Sequence, residues 1–367
     1  MKKQYVVCVL FFILFVIGLV CMPRVLAKRT PAAVSYYTFS PAMSGNQPCE
    51  RTDMYTTVLR EARGTPTDSY EKASILLLHK FDDIHKMDKV PIRGHQCVMG
   101  IKSIDQLASK ARLASIFGKP FPQHVPKTWI FSNKKDLDEL YKQFDASGVP
   151  LFPMILKKDV QRQTGLNFVT HVADLSKANQ NVVCQKVLTN PLLVNHRKIN
   201  LRLYLLVVCN AVAEMYMFND GFIYYAPEYY DQKVSFETHV TTGYVDRRIY
   251  DTNPLTLQEL YSHIGETGAV ALQSNLRTIM SDLCRAYSPV ITATDCDASK
   301  RRKFVILGVD IAPDSKYGVT IMEINKGPDL NEKDERDGAL KRVVVRDALA
   351  ICRVIPDGSK NNYIKLI

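Results

Sequence analysis

The sequence lacks the short motifs that mark the commonest phosphate, protease and esterase sites. It contains no Gly-x-x-x-x-Gly-Lys-Ser/Thr loop, no Gly-x-Gly-x-x-Gly turn, no His-Glu-x-x-His pair and no Gly-x-Ser-x-Gly elbow. Internal repeats and low-complexity tracts are also absent, and 17 Gly and 18 Pro in 367 residues exclude collagen-like and disordered compositions. The chain is therefore an ordinary globular one without a P-loop, a dinucleotide fingerprint or a zinc-protease helix.

Paired cysteine motifs are missing as well. There is no Cys-x-x-Cys pair and no Asn-x-Ser/Thr glycosylation acceptor, although the chain has nine cysteines. Two of them lie in the apolar N-terminal stretch, which leaves an odd number elsewhere, and Cys184 and Cys209 lie within apolar runs. This pattern favours reduced, buried thiols for most of them. A local bridge between Cys284 and Cys296 is the alternative.

Positive charge is in excess, with a formal net charge of +11 and a pI of about 9.1. A basic surface raises the local concentration of nucleic acid, anionic lipid, nucleotides or acidic polypeptides. The sequence has no zinc-finger spacing, no aromatic RNA-binding signature and no long Lys/Arg run. We therefore expect no specific nucleic-acid partner, and an acidic protein partner and a generally basic surface both stay open.

An apolar N-terminal stretch suggests membrane attachment. Residues 5–22 contain no charge and follow two lysines, and at about 1.5 Å per residue such a helix just crosses a hydrocarbon core about 30 Å thick. We predict that residues 1–27 are a single-pass transmembrane anchor that contacts the membrane through residues 5–22. The alternative is a signal peptide cleaved after Val25-Leu26-Ala27, which would make the protein secreted or luminal.

Composition and periodicity divide the rest of the chain. Residues 28–67 are rich in Pro, Ser, Thr and Gly and are predicted to be a linker. Residues 68–150 are predicted to form N-terminal and central α/β subdomains, and residues 151–367 a larger catalytic domain. The expected class is mixed α/β with antiparallel ribbons rather than alternating βαβ units.

Apolar patterns predict the individual elements. Strands are expected at 73–78, 125–131, 151–156, 182–188, 200–209, 304–311 and 319–324. Helices are expected at 104–117, 134–144, 257–264, 271–287 and 339–352. Asn219-Asp220-Gly221 predicts a hairpin turn between strands 212–218 and 222–225, because Asn, Asp and Gly tolerate positive φ.

Acidic side chains lie near the ends of two of the predicted strands in the C-terminal part. Asp310 lies in Gly308-Val309-Asp310-Ile311, and Glu323 and Asn325 share one face of the next strand because side chains repeat every two residues. Two carboxylates and an amide oxygen are hard ligands suited to Mg²⁺. A solvated strand face is the alternative.

Cationic side chains share a face of another strand. Lys198, Asn200 and Arg202 alternate along residues 197–202, so two cations point the same way and can hold phosphate oxygens. Lys157, at the end of a different strand, is a candidate third cation. The alternative is again an exposed polar face.

In order, these segments resemble the tubulin-tyrosine-ligase-like branch of the ATP-grasp superfamily over about residues 95–352. The matching segments are Lys110, Val125-Pro126-Lys127-Thr128-Trp129, Ile155-Leu156-Lys157, Val183-Cys184-Gln185-Lys186-Val187-Leu188, Asn190-Pro191-Leu192-Leu193, Arg197-Lys198-Ile199-Asn200-Leu201-Arg202, His239-Val240-Thr241-Thr242, Gly308-Val309-Asp310 and Met322-Glu323-Ile324-Asn325.

The resemblance implies an ATP-grasp-like fold, with the nucleotide held between two mainly antiparallel sheets and a carboxylate activated for attack by an amine. It implies that Lys198 and Arg202 are catalytic and that the metal ligands for Mg²⁺ are Asp310, Glu323 and Asn325. It assigns ATP contacts to Lys157, Gln185, Lys186, Val187, Leu188, Lys198, Asn200 and Thr241.

The implied activity is an ATP- and Mg²⁺-dependent ligase that adds a free amino acid to an acidic protein acceptor, such as tubulin C-terminal tails, in the cytosol. Three departures from the family pattern favour a nucleotide-binding pseudo-enzyme or scaffold instead. Asn200 replaces an acidic residue, Thr242 replaces an Asn, and Tyr224 stands where an Arg is usual. A third hypothesis is an unrelated membrane-anchored α/β protein.

Overall fold

Two β-sheets form the framework of the part of the chain that a computed structural model describes. The described residues are 34–39, 53–78, 93–94, 96–158, 165–176, 182–241, 245–297, 302–356 and 360–367. The strands are β1 Ser35–Phe39, β2 Thr65–Pro66, β3 Ile75–Leu78, β4 Cys97–Met99, β5 Thr128–Ile130, β6 Met154–Lys157, β7 Asn167–Val169, β8 Val183–Lys186, β9 Leu193–Val194, β10 Arg197–Cys209, β11 Ala213–Tyr225, β12 Arg302–Pro313, β13 Val319–Asn325 and β14 Tyr363–Lys365.

Helices surround these sheets. They are α1 Met54–Glu61, α2 Asp105–Ala108, α3 Lys110–Arg112, α4 Lys134–Tyr141, α5 Phe236–His239, α6 Leu257–Asp295 and α7 Glu335–Ile351. Shorter 3₁₀ turns occupy Lys102–Ile104, Pro122–His124, Val172–Leu175 and Arg247–Asp251, and a π turn occupies Leu113–Phe117.

The larger sheet is mixed, in the order β14-β11-β10-β12-β4-β3-β1-β2, with β13 added to β12 and β9 to β10. Its two faces are both covered, and β10 shows why. Leu206 and Val208 pack into one core with α7, whereas Leu205 and Val207 pack into a second core with α6. A strand buried on both faces has a continuous apolar sequence, as β10 does.

The smaller sheet is antiparallel, in the order β5-β8-β6-β7. Its core includes Trp129, the only tryptophan of the chain, with Met154, Leu156 and Cys184. Both sheets take strands from either side of residue 150, since β5 pairs with β8 and β4 with β12. The mixed α/β class is confirmed, with a parallel part (β1, β3, β4 and β12) that the sequence patterns did not indicate.

The predicted linker at residues 28–67 is wrong over its described part. Strands β1 and β2 and helix α1 lie within it, and β1 pairs with β2 and β3 inside the larger sheet. Asp53 begins α1 with a reciprocal capping box to Thr56. Local composition suggested a linker because the sheet contacts that order this segment come from strands distant in sequence.

The predicted hairpin turn at residues 219–221 is also wrong, because these residues continue β11 and the chain reverses at residues 210–212. Leu203 pairs with Gly221 and Leu205 with Met217, so residues 218–220 form a bulge opposite Tyr204, with Gly221 at its edge. A Cβ on Gly221 would lie 2.3 Å from a carbonyl oxygen of β10, and the Asp220 carboxylate accepts hydrogen bonds from the backbone of Gly221 and of α6. The Asn-Asp-Gly sequence thus serves close backbone approach instead of a turn.

The two helices predicted at 257–264 and 271–287 are parts of one element, α6. The backbone leaves helical geometry at Gly265, with φ of 76°, which marks the predicted division. Thr256 and Glu259 form the capping box that begins α6.

One disulfide differs from the cysteine predictions. Cys209, at the end of β10, is bonded to Cys296, directly after α6, so neither the reduced state of Cys209 nor a Cys284–Cys296 bridge is correct. Their separation of 87 residues hides the pairing from the sequence. The other described cysteines are buried free thiols, as predicted: Cys97, Cys184, Cys284 and Cys352.

The predicted membrane attachment needs correction. The single N-terminal hydrophobic helix and the membrane-anchored localisation both depend on residues 5–22. These residues lie outside the described part of the chain, as does the alternative cleavage site. Across the part of the chain that the structure describes, none of the helices combines the length and apolar character needed to traverse a bilayer. The membrane-anchored localisation is therefore withdrawn.

Candidate functional site

A cleft is lined by side chains from both sheets. Strands β6, β7 and β8 of the smaller sheet contribute one side, and β10, β12 and β13 of the larger sheet contribute the other. Most of the predicted site residues line it, namely Lys157, Gln185, Lys186, Val187, Leu188, Lys198, Asn200, Thr241, Asp310 and Glu323. The remaining two, Arg202 and Asn325, line an adjoining cleft that shares Thr241.

Strand register brings the acidic residues together. Asp310 lies directly opposite Glu323 on β13 and opposite Arg202 on β10, a position where side chains of antiparallel strands meet. Arg202 holds Asp310 in a bidentate pair, with Nε–Oδ1 2.5 Å and Nη2–Oδ2 3.0 Å. The amide nitrogen of Asn325 donates to Asp310 at 3.0 Å and to Glu323 at 3.3 Å.

This cluster suits a hard divalent cation. Asp310, Glu323 and Asn325 supply carboxylate and amide oxygens, and half a turn of the Asn325 amide would present its oxygen instead of its nitrogen. Burial tends to raise the pKa of Glu323, but Lys110 and Lys157 outweigh it and hold the pKa below its usual value. Glu323 is thus ionised, as metal binding requires. No cluster of three or more His, Cys, Asp or Glu ligands occurs among the described residues, so further ligand oxygens would complete the coordination.

Buried cations surround the same point. Lys157 and Lys198 are 8% and 5% exposed, the Lys198 Nζ donates to the backbone oxygen of His239 at 2.8 Å, and Lys110 pairs with Glu323 at 3.4 Å. Burial lowers the pKa of Lys198 to about 8, with a further contribution from Lys157. Burial likewise lowers the pKa of Lys157 to about 8, against the attraction of Glu323. These unfavourable pKa shifts would be relieved by an anionic ligand.

Unpartnered polar atoms are concentrated in the cleft. Within the described residues, ten buried side-chain nitrogen or oxygen atoms lack a hydrogen-bond partner, and four of them line this cleft. They are Gln185 Oε1, Asn200 Oδ1, His239 Nε2 and Thr241 Oγ1. Buried polar groups are almost always paired in folded proteins, so their concentration here indicates that a ligand supplies the partners.

Two lining residues had no role assigned from the sequence. Lys110, which the family resemblance marked as a matching position without a role, reaches Glu323 from α3. His239 is 4% exposed, and its Nδ1 lies 2.8 Å from Thr238 Oγ1. Burial, reinforced by Lys198, lowers the pKa of His239 to about 4, so the ring is neutral at pH 7.

A sequence model described as the tubulin-tyrosine ligase family matches residues 96–362, more than half of the chain. The chain belongs to the tubulin-tyrosine ligase family. This confirms the resemblance drawn from the ordered motifs and excludes the hypothesis of an unrelated α/β protein.

Several curated proteins are similar to the chain at low identity. A probable tubulin polyglutamylase of Mus musculus, TTLL2, is 22% identical over 259 residues, covering 66% of this chain and 46% of its own length. Tubulin polyglutamylase ttll-4 of Caenorhabditis elegans is 24% identical over 250 residues, with 63% and 40% covered. Tubulin polyglutamylase TTLL7 of Mus musculus is 21% identical over 285 residues, with 66% and 29% covered. The chain thus spans less than half the length of these relatives.

The lowered pKa values of the buried lysines predict that nucleotide affinity falls as the pH rises. A phosphate ligand would bind the protonated form of Lys198, so nucleotide affinity should be full below its pKa of about 8 and fall as the pH rises through it. Deprotonation of one such lysine lowers the affinity about tenfold between pH 7 and pH 9. Lys157 contributes to the lowered pKa of Lys198, and Lys198 in turn lowers the pKa of His239, whose ring is neutral across this range. Calorimetric ATP titrations across this range measure the effect.

Stability should change in the opposite direction. Because the folded-state pKa is lowered from 10.5, the unfolded chain binds more protons between pH 8 and 10.5, and Lys198 makes ligand-free stability rise across that window. In the variant Lys198→Gln, the pH dependence of ATP affinity and that of the free energy of unfolding should each lose the contribution of about one proton. The exposed Lys135→Gln is the control, and equal pH profiles for the two variants would contradict the assignment.

Proposed function

We propose that the chain is an ATP-grasp-like, ATP- and Mg²⁺-dependent carboxylate–amine ligase that adds an amino acid to a protein acceptor. The observation that carries the proposal is the cleft between the two sheets. Within it, unpartnered buried polar atoms, lysines of lowered pKa and two neighbouring carboxylates lie together. A nucleoside triphosphate with its metal ion supplies hydrogen-bond donors and acceptors, negative charge and a cation, which match these three features.

Each part of the cleft has a role in this proposal. Lys157 and Lys198 bind phosphate oxygens, and the strand and turn formed by residues 185–188 face the base together with the apolar side chains of Ile155 and Met322. Asp310, Glu323 and Asn325 hold Mg²⁺. When bound, MgATP supplies the phosphoryl group that activates a carboxylate for attack by an amine.

The protein's own contribution is charge placement. Arg202, fixed by Asp310, stands where the two clefts meet, so its guanidinium lies beside the place proposed for the phosphates. Preorganised cations of this kind stabilise the charge that develops during phosphoryl transfer without reorganising. Arg202 and Lys198 are therefore proposed as the catalytic residues.

An acidic protein is the proposed acceptor. The net charge of +11 attracts acidic polypeptides, and the named relatives are tubulin polyglutamylases. Tubulin tails are accordingly the first acceptor to test. A nucleotide-binding pseudo-enzyme is the second candidate, favoured by the uncharged Asn200 and by Tyr224, whose ring lies 5.1 Å from the guanidinium of Arg202 and brings no cation of its own.

Calorimetric titration with MgATP tests the nucleotide site. We expect saturable, Mg²⁺-dependent binding that Glu323→Gln weakens at least tenfold, because a metal ligand is lost while shape is kept; even outer-shell changes cost about 10–100-fold in metal affinity. The exposed Glu266→Gln makes the same chemical change on α6 and should leave binding unaltered.

The same titrations, followed by an assay of amino-acid incorporation, distinguish the ligase from the nucleotide-binding scaffold. Absence of MgATP binding by folded wild-type protein would overturn both the ligase and the nucleotide-binding scaffold. Binding without incorporation of any amino acid into acidic acceptors would leave the scaffold.

A further inference from the structure

A second cleft adjoins the nucleotide cleft at Thr241. Its walls come from β10, β11, α7 and residues 327–333. Three tyrosines, Tyr224, Tyr225 and Tyr250, form much of its surface. Because Arg202 and Asn325 reach into it from the carboxylate cluster, a molecule bound there lies beside the proposed phosphate site.

The buried cations at the base of this second cleft are both neutralised. Arg202 forms the bidentate pair with Asp310. Lys341 pairs with Asp337 at 2.8 Å, with only 4% and 6% of the two side chains exposed. Lys341 also donates to the backbone oxygen of Asn331 at 2.7 Å, so it is held both by Asp337 on α7 and by the segment that precedes α7.

The cations at the rim are paired as well. Arg247 Nε donates to Asp334 Oδ2 at 2.6 Å, and Lys333 lies 2.7 Å from Asp329. Every Lys or Arg among the described residues lining the second cleft therefore has a carboxylate partner.

This pairing determines which ligand charge the second cleft favours. A ligand with a net charge of −1 must give up its hydration, and it meets cations whose charge is already compensated. A zwitterion loses less, since its own ammonium and carboxylate groups can each face one member of an existing ion pair. Discrimination of this kind arises because each described cation that lines the cleft is already paired, and it needs no steric clash.

We propose that the second cleft binds the amino acid to be ligated and selects one with an uncharged side chain over glutamate or aspartate. The inference rests on the proposed function and names its substrate class. It differs from the activity for which the relatives are named, which is polyglutamylation. The paired cations carry the selection. The tyrosine rings offer apolar surface to an uncharged side chain, since the hydroxyls of Tyr225 and Tyr250 already donate to backbone oxygens.

Equilibrium binding of single amino acids tests this. Wild-type protein saturated with Mg²⁺ and a non-hydrolysable ATP analogue is titrated with glycine, glutamine, tyrosine and glutamate. We expect at least one uncharged amino acid to bind at least tenfold more tightly than glutamate. Glutamate binding as tightly as the best uncharged one, or no amino acid binding to the nucleotide-loaded protein, would overturn the inference. Failure of the analogue itself to bind would instead overturn the proposed function.

A variant that frees one buried cation supplies the second arm. Asp337→Asn keeps the shape and hydrogen bonds of the side chain and removes the charge that compensates Lys341, so the affinity for glutamate relative to glutamine should rise about tenfold or more. Asp329→Asn makes the same change at the exposed rim and should shift this ratio much less.

A third variant separates the effect of a freed charge from the effect of losing the ion pair on folding. Asp337→Leu/Lys341→Leu removes the whole pair without leaving a charge, and it should keep the wild-type preference. Equal glutamate-to-glutamine ratios in Asp337→Asn, Asp329→Asn and wild type, all folded by circular dichroism, would contradict the role of charge pairing.

Discussion

Replacing Arg202 with leucine is expected to lower the free energy of unfolding by about 3–5 kcal/mol, the cost of breaking a buried ion pair on one side. Both partners are almost inaccessible, with 9% and 4% of the Arg202 and Asp310 side chains exposed. The substitution leaves the Asp310 carboxylate buried beside Glu323 with its main compensating charge removed. The loss is therefore mostly the penalty of an unpaired charge rather than the worth of the contact.

Urea denaturation measures this prediction, and two further variants interpret it. Arg202→Leu/Asp310→Leu removes both charges, so it should recover most of the lost stability although the site is destroyed. Arg248→Leu breaks an exposed pair with Asp246, with 85% and 50% of the side chains exposed, and should cost under about 1 kcal/mol. If the losses for Arg202→Leu and Arg248→Leu are alike, the pair is not buried as described.

The carboxylate cluster shows what the sequence could predict. Asp310, Glu323 and Asn325 lie on strands whose alternation is visible in the residues themselves, and the antiparallel connection between β12 and β13 is short. Side-chain direction along a strand is a local property with period two. The convergence of these three residues therefore followed from local patterns, as did the shared face of Lys198 and Arg202.

Lys110 and the second cleft show what could not be predicted. Lys110 reaches Glu323 because α2, directly before it in the chain, lies against β13, and the ion pair of Lys341 enters the second cleft from α7. Helix placement against a sheet depends on packing between segments distant in sequence, and Lys110 and Glu323 are more than 200 residues apart. Nothing within either helix distinguishes these lysines from the solvent-exposed ones that the basic composition provides.

The errors in the fold have the same cause. Residues 219–221 have the composition of a turn, but β10 and β14 pair on both sides of β11 and extend it through them. The segment predicted as a linker is ordered by pairing with β3. In both cases contacts distant in sequence outweighed a correct local preference, as they commonly do in sheets.

Reducing the Cys209–Cys296 disulfide is expected to lower the free energy of unfolding by about 4.5 kcal/mol, on the chain-entropy estimate for a closed loop of this size. The bond closes a loop spanning 87 residues, which includes all of β11 and α6. It joins the β10–β11 turn to the C-terminal end of α6, directly after Asp295. The Asp295 carboxylate accepts hydrogen bonds from the backbone of Lys102 and Ser103, so the bond closes a region where distant segments already meet.

Urea denaturation of the wild type with and without a thiol reductant measures this effect. Cys209→Ala/Cys296→Ala should unfold at the midpoint of the reduced wild type and should not respond to reductant. Cys284→Ala, which removes a buried free thiol of α6, should keep the full response and thereby separate loss of the bond from loss of a core sulfur. Because the bond acts mainly on the unfolded chain, the reduced protein should retain MgATP affinity while folded. A wild-type midpoint that is the same under oxidising and reducing conditions would show that Cys209 and Cys296 are not joined in solution.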